Sequence, residues 1–470
     1  RVGTSASDFS LAGTTTLGYY GLHLGNPANQ RTSSLFSDRS NLAYLGRMNY
    51  NYLNKYYLTM NFRRDGFSAF AEGNKFANFY GGALAYAISE ENFFKQALPK
   101  VNYLKLRLAY GQNGNQGIDS YETLANIASG TTVFGSTSSL FIYQSSLANQ
   151  QLSWEKTTTL NGGLNFAIFD NRISGDLNVY QSKTTDQLLT RSLPNLAGFS
   201  SVRTNIGRVD NMGLELSLTG IVLAPKNPNG IRWETTLNFW MNRNKVVALT
   251  GVDADGDGKE DDNLGNRWFI GKPIGAIYDY VVDGIVQTAD ADYIAKFGAR
   301  AGDLKIRDIN GTVRGDGKPD GKINSLDREI IGYVQPRFSW SLANTISYQN
   351  WQLFFNFNAI MGGGSGNYYM SPNSSYNLTA FGNNQNQNWL NQQYWSAETP
   401  SNTFTRPNYS NPFGYSHPHE RTFVRLQDLS LQYSLNSKQL EKLKMSGLRI
   451  YLSAKNPLVV AGSNALNYHF

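Results

Sequence analysis

The sequence contains no cysteine in its 470 residues, which excludes disulfide staples and thiolate metal sites. No apolar run approaches the roughly 20 residues of a membrane-spanning helix. If the chain crosses a membrane, it must therefore do so as closed strands. Charged residues make up only 16%, against about 25% in water-soluble domains. The net charge of +7 is modest, and the basic residues are scattered, so the chain carries no nucleic-acid footprint. The sequence opens at Arg1 with no Met and no charged-then-apolar stretch, so no signal peptide is visible in it, as expected of a mature or truncated chain. Neither a G-x-S-x-G elbow nor a Walker loop occurs. The four histidines are His23, His417, His419 and His469. The cluster His417-Pro-His419-Glu420 lacks a third zinc ligand at proper spacing and reads as a polar loop. Gly362-Gly363-Gly364-Ser365-Gly366 follows a strand and opens a loop, so it supplies no helix amides for a phosphate. No residue is assigned a catalytic or cofactor-binding role, and no enzyme activity is expected.

What the chain does have is aromatic side chains (13%), glycine and a strict period of two. Leu104, Leu106, Leu108 and Tyr110 alternate with Lys105, Arg107 and Ala109. Met212, Leu214, Leu216 and Leu218 alternate with Gly213, Glu215 and Ser217. Successive side chains of a strand face opposite sides of a sheet, so each run is a strand with one apolar and one polar face. About 14 such segments occur, each near the ~10 residues of a tilted membrane strand. They span 14–24, 42–53, 55–66, 78–88, 103–111, 153–167, 171–184, 206–220, 231–243, 337–348, 351–361, 421–435, 447–456 and 464–470. Short connections (53–55, 168–171, 349–350) alternate with long ones (111–152, 183–205, 244–337, 362–421). That parity belongs to membrane barrels, with short periplasmic turns and long outer loops. The expected fold class is all-β, an antiparallel transmembrane β-barrel with long extracellular loops. The last residues, Leu466, Tyr468 and Phe470, alternate as a final strand would.

Five ordered motifs carry a family resemblance. They are LGRMNYNYLNKYYLTMNFRRDGF at 45–67, SEENFF at 89–94, KLRLAYGQNGNQ at 105–116, the loop 302–332, and the segment 423–456. Together they resemble the SusC/RagA-type TonB-dependent transporters. The resemblance implies an outer-membrane location and a barrel of about 22 strands. It makes residues 1–470 the C-terminal portion of such a barrel, with no plug domain in this sequence. It also implies import of bulky nutrients, glycan fragments or peptides, with a SusD-like surface lipoprotein. Energy would come from the TonB complex through an N-terminal part not seen here. The alternative is a barrel scaffold or a component of a secretion or surface assembly. A third reading, an outer-membrane hydrolase, needs a Ser/His pair at one membrane depth, which four scattered histidines do not favour.

Two acidic stretches in the loop region 244–336 suggest calcium. Asp253, Asp255 and Asp257 are spaced two apart, Gly258 allows a sharp turn, and Asp261 follows at the ninth position. Leu264 stands where a twelfth-position Glu belongs, and a solvated Gly-rich turn is the simpler reading. In the second stretch the resemblance implies Asp308, Asn310, Asp320, Asn324 and Asp327 as ligands, with the insertion 312–319 disturbing their geometry; a shifted register starting at Asp316 keeps Asp320, Asn324 and Asp327 but puts Lys318 at a ligand position. A structural role is expected of either site. In the outer loop 362–420, Tyr368, Tyr369, Tyr376, Trp389, Tyr394 and Trp395 offer faces on which sugars stack, and loop packing is the competing explanation. Of these, Tyr368, Tyr369, Trp389 and Trp395 are the candidate substrate contacts. Tyr56, Trp154, Trp233 and Trp351, near strand ends, read as interfacial girdles.

Overall fold

The computed structural model describes residues 2–7, 31–135, 137–193, 198–225, 227, 230–254, 256–366, 393–407 and 409–461. The expected strands 14–24 and 464–470 lie outside the described residues, as do Asp255, Tyr368, Tyr369, Tyr376 and Trp389. The other twelve expected strands all form, and they join in one antiparallel sheet in chain order. We label them β1 (Asn41–Tyr52), β2 (Tyr56–Phe67), β3 (Phe76–Tyr86), β4 (Val101–Asn115), β5 (Glu155–Ile168) and β6 (Ile173–Thr185). The remainder are β7 (Arg208–Leu223), β8 (Ile231–Ala248), β9 (Phe338–Tyr348), β10 (Trp351–Met361), β11 (Phe423–Ser434) and β12 (Arg449–Ala461). Among the described residues the sheet is open, with β1 and β12 as its edges.

Local chemistry sets the turns. Leu53 and Asn54 both take left-handed backbone, the pair of positive φ values that suits a tight hairpin, and Lys55 N–H closes it on Tyr52 O at 3.0 Å. Phe169, Asp170 and Asn171 do the same between β5 and β6. Connections at this end are 53–55, 87–100, 169–172, 224–230, 349–350 and 435–448. Those at the opposite end are 68–75, 116–154, 186–207, 249–337 and 362–422. Strands outrun their expected ends mainly toward the long loops. β8 continues to Ala248, so the outer loop region begins five residues later than the sequence suggested.

The register decides the sidedness. Tyr52, Tyr56, Tyr86, Leu106, Leu164, Leu177, Leu216, Phe239, Trp340, Ala359, Val424 and Val460 form one unbroken cross-strand row through all twelve strands. The row starts at the short-turn end of β1 and finishes at the long-loop end of β12, the stagger that tilted strands of a barrel wall require. One residue away, on the opposite face, Lys105, Asn165, Asp176, Ser217, Asn238, Ser341, Asn358 and Arg425 form a polar row. Among the described residues no second layer covers the apolar face: Leu106 is 47% exposed and Leu452 77%. A continuous apolar surface of this extent needs an apolar surrounding.

Among the described residues the enclosed cores lie under the long loops. Phe67, Phe70, Phe79, Ile118, Leu152, Trp154 and Leu188 form one. Trp154 is 4% exposed and packs against Phe70 and Phe79, so it is a core residue rather than a girdle residue. At the short-turn end Tyr52, Tyr56 and Tyr86 stack, and Trp351 packs on Tyr433. Trp233, close to the same end of β8, donates its indole N–H to Asn344 Oδ1 at 3.0 Å. These positions fit an interfacial aromatic belt.

Candidate functional site

The polar face carries the hydrogen-bonding side chains of the sheet, and glycines shape it. Gly163 of β5 lies between Arg107 of β4 and Asn178 of β6. A Cβ there would fall 2.8 Å from an Arg107 guanidinium nitrogen and 2.9 Å from Asn178 Oδ1. Because that Cβ is missing, the Arg107 side chain crosses β5 to reach Asp176 Oδ2 at 2.5 Å and Asn178 Oδ1 at 3.0 Å. Asn165 and Asn178 also donate to the Asp176 carboxylate. Gly213 works the same way: the Tyr180 ring lies over it and its hydroxyl donates to Asn242 Oδ1 at 3.1 Å. Lys105 sits 3.8 Å above the Tyr57 ring on the same face. The result is a wall of amides and paired charges, preorganised to exchange hydrogen bonds with a polar neighbour.

Above it, loop regions 249–337 and 393–422 dock into one outer unit. Strand Ala276–Tyr280 pairs with Arg328–Tyr333, and Val282–Ile285 with Leu304–Ile306. Tyr280, Ile285, Leu304, Ile306, Trp395 and Tyr409 share a core drawn from both loops. Buried polar contacts fasten it. Asp279 Oδ2 accepts from Ser416 N–H at 2.9 Å and Ser416 Oγ at 2.6 Å. Arg406 Nε donates to Asp303 Oδ1 at 2.7 Å. Trp395 Nε1 donates to Gln287 Oε1 at 2.9 Å. Trp395 is 9% exposed. A ring so enclosed has no free face for a sugar, and the competing explanation, loop packing, describes it. Tyr394 is half-buried against Phe404, and burial raises its phenol pKa.

The acidic stretches fold on their own amides. Asp253 accepts from Gly256 and Gly258 N–H, Asp257 from Lys259 N–H, and Asp261 from Ala254 N–H. In the second stretch Asp308 accepts from Asp320 and Gly321 N–H, and Lys296 Nζ lies 3.1 Å from it. Desolvation raises the Asp308 pKa, but Lys296 and those amides outweigh it and hold the carboxyl below its ordinary value. Asp320 accepts from Lys322 N–H. Asp327, fully buried, accepts from Ile309, Asn310 and Asn324 N–H. Asn324 caps the short helix Ser325–Asp327. Among the described residues no three acidic or histidine side chains converge to hold a cation. Calcium needs six to eight oxygens at about 2.3–2.6 Å, and as folded these donors face amides and an ammonium group instead. Of the described candidate ligands, Asn310 alone has a side-chain oxygen, Oδ1, that is buried without a partner. His417 is 7% exposed and packs on Tyr415, and its burial pushes its pKa down to about 4.

Neither the crossing glycines nor the Asp279–Ser416 clasp was legible from residue order alone. A glycine facing long polar side chains on both neighbouring strands is the signal for the first, and it becomes readable once the register is known. The second joins residues 137 apart and has no local signature.

Residues 1–456 match the family model of the TonB dependent receptor-like β-barrel. TonB-dependent receptor P3 of Formosa agariphila is 32% identical over 439 residues, covering 92% of this chain and 42% of that protein. TonB-dependent receptor SusC of Bacteroides thetaiotaomicron is 28% identical over 456 residues, covering 94% of this chain and 42% of that one. Among solved structures, the RagAB peptide importer in its open-open state superposes with a TM-score of 0.71 at 24% identity, covering 93% of this chain and 44% of that chain. The chain thus spans less than half the length of these relatives.

Proposed function

The chain belongs to the TonB-dependent receptor-like β-barrel family of the outer membrane, and from that premise we propose that it is the C-terminal wall of an importer for bulky nutrients, glycan fragments or peptides. In this reading a SusD-like lipoprotein sits over the docked outer loops, and TonB supplies the energy through a part of the protein outside these residues. The observation that carries the proposal is the sidedness of the sheet, combined with a family match over residues 1–456. A wall with an apolar outer face and an amide-rich inner face separates lipid from a hydrated path. Among the described residues the inner face presents amides, hydroxyls and paired charges, groups suited to the recognition and passage of a polar solute. Neutral, hydrogen-bonding solutes suit Asn165, Asn178, Asn238, Asn242 and Asn358 better than strongly charged ones, since Arg107 and Asp176 neutralise each other.

Uptake tests the proposal. Cells carrying the full-length gene are given labelled pools of oligosaccharides and of peptides, with TonB intact or deleted. Accumulation of one pool that is lost without TonB is expected. Equal accumulation with and without TonB, or of neither pool, speaks for a scaffold.

A further inference from the structure

Two short-turn connections carry helices, and the two differ in charge. The connection 87–100, which contains the helix Asn92–Ala97, is charge-balanced, with Glu90 and Glu91 against Lys95 and Lys100. Lys95 pairs with Glu90 at 2.8 Å, and Glu91 receives Lys55 Nζ at 2.8 Å together with the Tyr56 and Tyr86 hydroxyls. In 435–448 the helix Ser437–Leu443 carries Lys438 and Lys442 on its body and Lys444 at its C-cap, against one acid, Glu441. All three lysines are exposed, and none forms an ion pair among the described residues.

Position gives this charge a meaning. Asn436 and Gln439 close a capping box that fixes the helix start. Gln439 Oε1 also accepts from the Tyr433 hydroxyl at 3.2 Å. Tyr433 packs against Trp351 in the aromatic belt on the apolar face, so the hydrogen bond holds the helix at the level of the membrane boundary. Leu443 and Met445 are each 50% exposed beside it. Leu448, 37% exposed, shares its face of the chain with Ile450 and Leu452 of β12. Apolar side chains flanked by free lysines at an interfacial belt are the composition of a segment lying in the headgroup plane.

We infer that the 435–448 connection is an interfacial anchor, in which Leu443 and Met445 enter the acyl boundary and Lys438, Lys442 and Lys444 bind the phosphates of anionic phospholipids in the leaflet on the short-turn side. The charge-balanced 87–100 connection is held by its tyrosine–glutamate clasp and takes no part in headgroup binding.

The test uses the full-length protein, purified in detergent, exchanged with phosphatidylglycerol or phosphatidylcholine and examined by native mass spectrometry. Each basic residue beside an anionic surface contributes about fivefold in binding. The variant Lys438→Gln/Lys442→Gln/Lys444→Gln is therefore expected to retain phosphatidylglycerol at least about fivefold more weakly, with phosphatidylcholine retention unchanged. Lys95→Gln is expected to behave as wild type. In nanodiscs, a fluorophore on Met445→Cys is expected to be quenched by brominated acyl chains and shielded from iodide. Equal phosphatidylglycerol retention by the triple variant overturns the inference, as does an equal loss from Lys95→Gln or free access of iodide to position 445.

Discussion

Replacing Leu106 with arginine places a charge on the apolar face between two cations that already face the other way, Lys105 and Arg107. Leu106 is the sixth residue of β4. With a rise of about 3.4 Å per residue and a tilt of about 45°, it lies about 12 Å up from the short-turn end, close to the middle of an apolar band about 25 Å tall. An arginine at that depth costs about 2–4 kcal/mol, which is about 30- to 1000-fold in the folded population. The neighbours of Leu106 in its row are Tyr86 and Leu164, so no acid is at hand to pair with the new charge. The assay is refolding of the full-length protein into lipid vesicles across a urea gradient, read by heat-modifiable migration. Ser217→Arg, on the polar row beside Asp176, is the control and is expected to change stability by less than about 0.5 kcal/mol. Equal losses from Leu106→Arg and Ser217→Arg refute the assignment of the two faces.

The crossing at Gly163 predicts that Gly163→Val displaces the Arg107 guanidinium and destabilises the sheet by about 1–3 kcal/mol. Gly162→Ala, where a new Cβ meets nothing within 4 Å, is expected to be neutral in the same refolding assay. Asp279→Asn loses the carboxylate that holds Ser416, and hydrogen exchange at 411–418 is expected to speed up by about tenfold, in line with about 1–3 kcal/mol for a broken buried contact; unchanged protection would count against the clasp. The folded pKa of His417, about 4, lies below its unfolded value of 6.5. Its stabilising effect is therefore complete above pH 6.5 and is lost as pH falls from 6.5 toward 4, at up to about 1.4 kcal/mol per pH unit. Exchange protection of 276–285 should decline over that window, and His417→Phe should flatten the decline. Chelation is expected to leave protease resistance of 249–337 unchanged, because amides and Lys296 already engage its carboxylates; loosening by a chelator that added calcium reverses would show that Asp308, Asn310, Asp320, Asn324 and Asp327 reorganise around the ion.

Strand identity and sidedness were legible because both are local. Alternation in 104–110 or 212–218 depends only on which residues sit two apart, and a lipid-facing wall leaves no second layer to blur the pattern. Turn parity was legible for the same reason, since Leu53-Asn54 and Gln349-Asn350 are too short to be anything but hairpins. The loops were less readable. Trp154 and Trp395 look like surface aromatics in sequence, but they close cores assembled from segments far apart in the chain. The acidic stretches read as metal loops because closely spaced Asp–Gly patterns suit both a cation and the carboxylate–amide bonds that cap tight turns, and residue order alone does not separate the two. The basic character of 435–448 was visible residue by residue, yet its location at the aromatic belt depends on the Tyr433–Gln439 contact.

These 470 residues contain no cysteine to compete with an introduced label, and with any cysteine elsewhere in the full-length protein replaced by serine the central claim is directly measurable. Single cysteines placed one at a time from Leu104 to Tyr110 in the reconstituted full-length protein accept a nitroxide, whose collisions with oxygen and with a water-soluble nickel chelate report lipid and water. The account predicts a period of two, with oxygen dominating at 104, 106, 108 and 110 and nickel at 105, 107 and 109. Uniform accessibility along the strand, or the opposite phase, would contradict it.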